Sequence, residues 1–210
     1  MPNEWSDPAR VEDYLAREIP HRDSAELLLA QALPSPVEHV LDLGTGDGRL
    51  LALIRREHPR ARGVGLDASE PILTRARARF AQQQDVVLAE HDLADPLSQL
   101  TAIADLPALD AVVSGLAIHH LEHERKRSLF AEVHALLRPG GVFANLDLTA
   151  SPTPALHDLF RQAIGRVEDD PADRLADACD QLAWLREAGF ATADCRFKWL
   201  ELTLLIAQRR

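Results

Sequence analysis

Between Asp42 and Gly48 the sequence reads Asp-Leu-Gly-Thr-Gly-Asp-Gly. Glycines at this density let a main chain turn sharply and come close to a ligand, and the free amides of a helix that follows favour polar or anionic groups. Two further carboxylates, Asp67 and Asp92, are acceptors only when ionised, suited to hydroxyls and amines. A neighbouring pair, His119 and His120, brings imidazoles whose ordinary pKa of about 6.5 lets them take a proton near neutrality. Cradle, acceptors and base are the chemistry on offer. Whether they meet depends on the elements that carry them.

Those elements alternate. Residues 37–43 form an apolar run ending on the glycines, which predicts a strand. Residues 49–58 carry Leu50, Leu53 and Ile54 on one helical face and stop at Pro59. Strands at 63–66, 86–88 and 110–114 alternate with helices at 70–82 and 125–137, and Pro139-Gly140-Gly141 turns into a strand over 142–148. This is the pattern of a parallel sheet wound on both faces. Two helical segments broken near Asp170-Pro171 follow, then strands at 191–200 and 201–207 with almost no connection, so they must pair antiparallel. The reading is a doubly wound α/β fold, with a mostly parallel seven-stranded sheet and an antiparallel C-terminal strand. Two short helices, 7–17 and 23–33, precede it; residues 1–34 read as a helical lid and 35–210 as the main unit. The glycine loop, Asp67 and Asp92 each follow a strand and so share the sheet's carboxyl edge.

With 210 residues, 46% of them hydrophobic, the chain suits one domain with a sizeable core. A formal charge of −10 argues against a nucleic-acid footprint, which needs clustered positive charge. Arg75, Arg77 and Arg79 scatter around a helix, and Arg125-Lys126-Arg127 is interleaved with acids; both read as solvated surface. No run of eighteen apolar residues and no apolar leader core is present, so a cytoplasmic, membrane-free protein with free thiols at Cys179 and Cys195 is expected. Oligomeric state cannot be read here.

A ribose suits an Asp at the end of the second strand, and an Asp after the third can take an adenine amine. The loop is G-x-G-x-G rather than the dinucleotide G-x-G-x-x-G, and a diphosphate would not welcome carboxylates at Asp42 and Asp47. No Tyr-x-x-x-Lys pair exists for hydride chemistry, since Tyr14 is the only tyrosine. A zwitterionic amino acid with a cationic sulfonium tolerates both acids. At this point residues 40–51 resemble motif I of class I S-adenosylmethionine-dependent methyltransferases. Gly65-Leu66-Asp67 resembles motif II, His91-Asp92-Leu93 the third motif, and residues 136–141 the turn before strand five. The likeness covers about residues 37–208 and implies S-adenosylmethionine as cofactor. It implies that Gly44 and Gly46 pass the methionine part, Asp42 holds its amino group, and Ser114 sits beside that group. Asp67 would bind the ribose, Ala68 lie against the adenine, and Asp92 with the Leu93 amide read its edge.

Methyl transfer is an in-line displacement that needs alignment, a dry pocket and a base where the nucleophile carries a proton. His119 is the preferred base, with His120 supporting it or packing; the alternative is a pair of pocket-wall residues. No Asn/Asp-Pro-Pro-Tyr motif for amide or adenine nitrogens appears, and Asp147 alone is not a magnesium site. Adjacent histidines do not easily face one ion, so no metal is expected. In the lid, Tyr14 could cover the sulfonium and Arg22 could pair with the methionine carboxylate. Trp5, Tyr14, His157, Phe160 and Trp184 are the candidate acceptor pocket. The reading is methyl transfer to oxygen, nitrogen or electron-rich carbon of a small organic molecule, of the kind found in secondary metabolism. A tRNA wobble-uridine or carboxy-S-adenosylmethionine-related enzyme and a non-catalytic cofactor-binding protein are the alternatives.

Overall fold

The computed structural model describes Glu12, residues 18–100 and residues 107–210. Among them the chain order is α1 (Arg22–Gln31), β1 (His39–Leu43), α2 (Arg49–Glu57), β2 (Arg62–Asp67), α3 (Glu70–Arg79), β3 (Val86–Glu90), β4 (Leu109–Gly115), α4 (His123–Leu136), β5 (Leu137–Leu148), α5 (Pro154–Ala163), α6 (Ala178–Glu187), β6 (Thr192–Trp199) and β7 (Leu202–Gln208). The seven strands form one sheet in the order β3-β2-β1-β4-β5-β7-β6. β1 to β5 run parallel, and β7 inserts antiparallel between β5 and β6.

Central strands buried on both faces must be apolar almost throughout. β4 meets that demand, with Ala111, Val112 and Val113 all fully buried. Successive residues point to opposite sides, so the sheet divides two cores. Leu41, Leu43, Leu66, Val112 and Phe143 meet Leu129, Phe130 and Val133 of α4 and Trp184 and Leu185 of α6 on one side. Val40, Ala111, Val113, Ala144 and Leu146 meet α1, α2 and Phe160 of α5 on the other. α1 thus buries Ala25 and Leu29 in the same core as β1. Side-chain oxygens of Ser69, Thr153 and Asp177 cap α3, α5 and α6 by accepting early helical amides.

One local expectation changes. The turn at Pro139-Gly140-Gly141 is a bulge inside β5, not a connection before it. α4 ends at Leu136 and the next residue already pairs with Leu109, after which the register jumps to Ala111 against Val142. Gly140, at φ 81°, supplies the left-handed step the bulge needs. Because β1, β2 and β3 are parallel neighbours, their carboxyl ends open side by side. That edge is where the acidic and glycine residues gather.

Candidate functional site

The loop after β1 forms its floor. Gly44 holds φ 69°, and a methyl group built on it would lie 2.2 Å from the Ala117 Cβ, so only glycine fits between this loop and the segment after β4. Asp42, fully buried at the end of β1, accepts a 2.7 Å hydrogen bond from the Thr45 hydroxyl on Oδ2. Its Oδ1 is buried without a partner. Burial pushes the Asp42 carboxyl up to about 7, against the pull of Thr45 and with help from the nearby Asp67 charge. Asp67 accepts from the amides of Gly46 and Ser69, both at 2.9 Å, which fixes its plane at the end of β2. Desolvation nevertheless raises its pKa, the backbone donors only partly offsetting it.

Two cavities share Gly44 and Gly46. The wider, about 830 Å³, is walled by residues 18–24, Asp42, Thr45, Asp47, Arg49, Arg79 and Gly115. The smaller, about 110 Å³, is lined by Asp67, Ala68, Ile72, Asp92, Leu93, Leu116 and His120. A buried, unpartnered carboxylate oxygen in the first and a sugar-and-base slot with acidic edges in the second fit the two halves of S-adenosylmethionine. Asp42, Gly44 and Gly46 would hold the amino-acid part; Asp67, Ala68, Asp92 and Leu93 the adenosine. Asp92 is exposed, one oxygen taken by the Ala94 amide at 2.9 Å.

Arg22 lines the wide cavity, but its guanidinium is already paired with the buried Glu26 at 2.7 Å. Glu26 also takes Arg49 at 2.8 Å, and Arg49 reaches Asp23 at 2.7 Å. The sequence reading passed over Glu26 and Arg49. A signal was there: a cation at the first residue of a helix sits against the dipole, so something acidic has to hold it. Ser114, expected beside the amino group, is instead turned into the sheet, where its hydroxyl donates to the Leu43 carbonyl at 2.8 Å; Gly115 is the cavity wall. Trp184, proposed for the acceptor pocket, belongs to the core. It packs on His123 with Arg127 over its ring at 5.0 Å, because α6 buries that face against α4. Trp5 and Tyr14 lie outside the described residues.

The segment after β4 opens with Leu116 at φ 58°, a left-handed geometry that costs a branched residue of order 1–3 kcal/mol. It then makes a short 3-10 turn, Ile118–His120. His119 is buried, its Nδ1 2.5 Å from Asp147 Oδ1 on β5. His120, not His119, lines the smaller cavity. Burial and the adjacent His119 push the His120 pKa down to about 3, so it is a neutral ring at physiological pH and a weak base. The tight turn brings the two rings within 3.9 Å, and Asp173 faces both: 3.6 Å from His119 Nε2 and 3.5 Å from His120 Nδ1. Adjacent though they are, the two histidines thus face one carboxylate. Lys126, buried in α4, donates to the carbonyls of His119 at 3.3 Å, Arg174 at 2.5 Å and Leu121, fastening the turn to the segment that carries Asp173. Burial lowers its pKa to about 8. The expectation that Lys126 is solvated surface fails, since its ammonium is drawn inward by the three carbonyls; Asp173 carries no motif.

His157 and Phe160 do border one cavity, of about 210 Å³, together with Leu148, Arg161, Asp173 and Glu201. His157 is held between Glu201 at 2.7 Å and Asp169 at 2.8 Å, which raises its pKa. Phe160 meets Trp199 edge-on, 6.1 Å between ring centres.

A family profile described as "Methyltransferase domain" matches residues 41–143. An uncharacterized methyltransferase of Synechocystis is 33% identical over 165 residues, covering 79% of this chain and 72% of its own. A trans-aconitate 2-methyltransferase of Acidovorax is 32% identical over 188 residues, 87% of this chain; the chain spans only 64% of that relative's length. The structure of an O-methyltransferase family protein from Burkholderia thailandensis superposes with a TM-score of 0.76 at 21% identity, over 98% of this chain and 61% of its own.

Proposed function

The chain belongs to the class I S-adenosylmethionine-dependent methyltransferases, and from that premise we propose that it transfers a methyl group to a small organic acceptor. The observation that carries this reading is Asp42 Oδ1, buried and unpartnered, in a residue that walls a cavity sharing Gly44 and Gly46 with the Asp67 slot. An ammonium group supplies the donors that oxygen lacks.

When bound, S-adenosylmethionine supplies an electrophilic methyl carbon. That carbon would take the acceptor's lone pair, with sulfur as the leaving group keeping the electrons of the carbon–sulfur bond. Asp42 and the glycine loop anchor the amino-acid end, while Asp67 and Asp92 fix the adenosine, so alignment comes from strand ends that cannot shift independently. Where the acceptor carries a proton, its loss is eased at the cluster of His119, His120 and Asp173, with Asp147 orienting His119. Residues 1–34 act as the lid, of which 18–24 already wall the wide cavity. The arginines that line that cavity, Arg22, Arg49 and Arg79, are each paired with an acid; it is the name of the Acidovorax relative that puts carboxylate-bearing acceptors first for testing. Cys179 and Cys195 are free thiols, which suits a reducing cytoplasmic location. Among the described residues no helix is long and apolar enough to cross a membrane.

The test is calorimetry with S-adenosylhomocysteine, followed by incubation with methyl-labelled cofactor and a panel of small acids, phenols and amines. Micromolar binding and label in one acceptor class are expected. Absence of binding would remove the proposal.

A further inference from the structure

Two imidazoles and one carboxylate converge beside the proposed cofactor slot. Asp173 Oδ1 stands 3.6 Å from His119 Nε2 and 3.5 Å from His120 Nδ1, and the three donor atoms all lie within 4.8 Å of one another. In a tetrahedral site with bonds of ~2.0–2.2 Å, neighbouring donors are about 3.4 Å apart, close to both separations. Asp173 Oδ1 is buried with no hydrogen-bond partner, while Oδ2 receives Arg166 Nη1 at 3.4 Å. Leaving such an oxygen buried and unmatched is costly. His119 is backed on Nδ1 by Asp147, which directs the Nε2 lone pair outward; a carboxylate behind a histidine is the usual support of a metal ligand. The Lys126 ammonium is spent on three carbonyls rather than on this carboxylate.

We infer that His119 Nε2, His120 Nδ1 and Asp173 Oδ1 form a binding site for a divalent transition-metal cation. Two nitrogens and one oxygen select zinc, cobalt or nickel over magnesium and calcium, which prefer all-oxygen shells. Ligation replaces the long 3.4 Å contact between His120 Nδ1 and the Ala172 carbonyl. Three protein ligands leave a further coordination position open. Because His120 borders the smaller cavity and Asp173 the 210 Å³ one, an ion here touches both. Its role, which alone rests on the methyl-transfer reading, is to hold an acceptor oxygen and ease loss of its proton.

The full-length protein, stripped with a chelator, is titrated with zinc by calorimetry and with cobalt by visible absorption, and metal content is counted by elemental analysis. A single ion per chain and the d–d bands of four-coordinate cobalt are expected. Asp173→Asn and His120→Ala should each weaken binding by more than the ~10–100-fold expected for Asp147→Asn, the outer-shell change. His58→Ala, on the surface turn after α2, should leave it unaltered. Circular dichroism and a thermal melt of every variant report that each is folded. No bound ion, or binding that survives Asp173→Asn, overturns the site. Zinc binding without S-adenosylhomocysteine binding would overturn the methyl-transfer reading and leave the site standing.

Discussion

The cofactor cradle and the histidine cluster lie a few residues apart in space and are built on opposite principles. The cradle is local: Asp42, Gly44 and Gly46 fall within five residues, and Asp67 and Asp92 each close one strand of the same parallel run. Its fixed parts are backbone amides, so its shape is set by turn geometry and register. The cluster draws His119 and His120 from the β4 loop, Asp147 from β5, Asp173 from the stretch between α5 and α6, and Lys126 from α4. It is made of side chains, several of them charged and buried, and each depends on the others for its orientation. A backbone-built site tolerates side-chain change but not glycine replacement; a side-chain-built site behaves the other way.

That contrast can be broken first at Gly44. Gly44→Ala puts a Cβ against Ala117 at a left-handed φ, costing about 3 kcal/mol in strain and overpacking. Thermal melts and calorimetry should show lower stability and no measurable S-adenosylhomocysteine binding; a native-like variant would mean the loop is not the floor. Next, His119→Ala should lower turnover by at least about 100-fold while cofactor affinity stays put. Equal losses in both would merge the two regions into one unit. Asp67→Ala should weaken the cofactor by about 2 kcal/mol, for a charge-assisted acceptor lost. Native affinity in that variant would contradict the ribose assignment.

A smaller effect sharpens the cradle's electrostatics. Asp42 titrates near 7, and an ammonium ligand needs it ionised, so affinity should fall as pH drops through that value, by at most about tenfold per unit. Asp42→Asn should abolish the slope; an unchanged slope assigns it to another group. The smallest effect is at Trp184: as a core residue over Arg127, its change to Phe should cost about 1 kcal/mol of stability and leave the acceptor KM alone.

Legibility followed the same divide. The succession of strands and helices and the reversed C-terminal hairpin were readable because hydrophobic runs, glycines and short connections are local signals. The gathering of the glycine loop, Asp67 and Asp92 at one sheet edge was readable because these residues sit at fixed offsets from strand ends. Ser114 and Trp184 were misplaced because a strand-end serine and a helical tryptophan look alike whether they face a cavity or a core; only pairing with Leu43 and packing on α4 decide it. Glu26 and Asp173 were missed since partners 23 and 54 residues away from Arg49 and His119 leave no periodicity to follow.

Lys126 ties two segments together with one ammonium, the turn after β4 and the stretch that carries Asp173. Hydrogen bonds from a charged donor contribute about 1.5–3 kcal/mol apiece, so the roof over the histidines cannot lift at one corner without forfeiting the rest. An exchange route through the wide cavity bordered by the residues before α1 would spare both attachments, and turnover should then be sensitive to whatever hinders it.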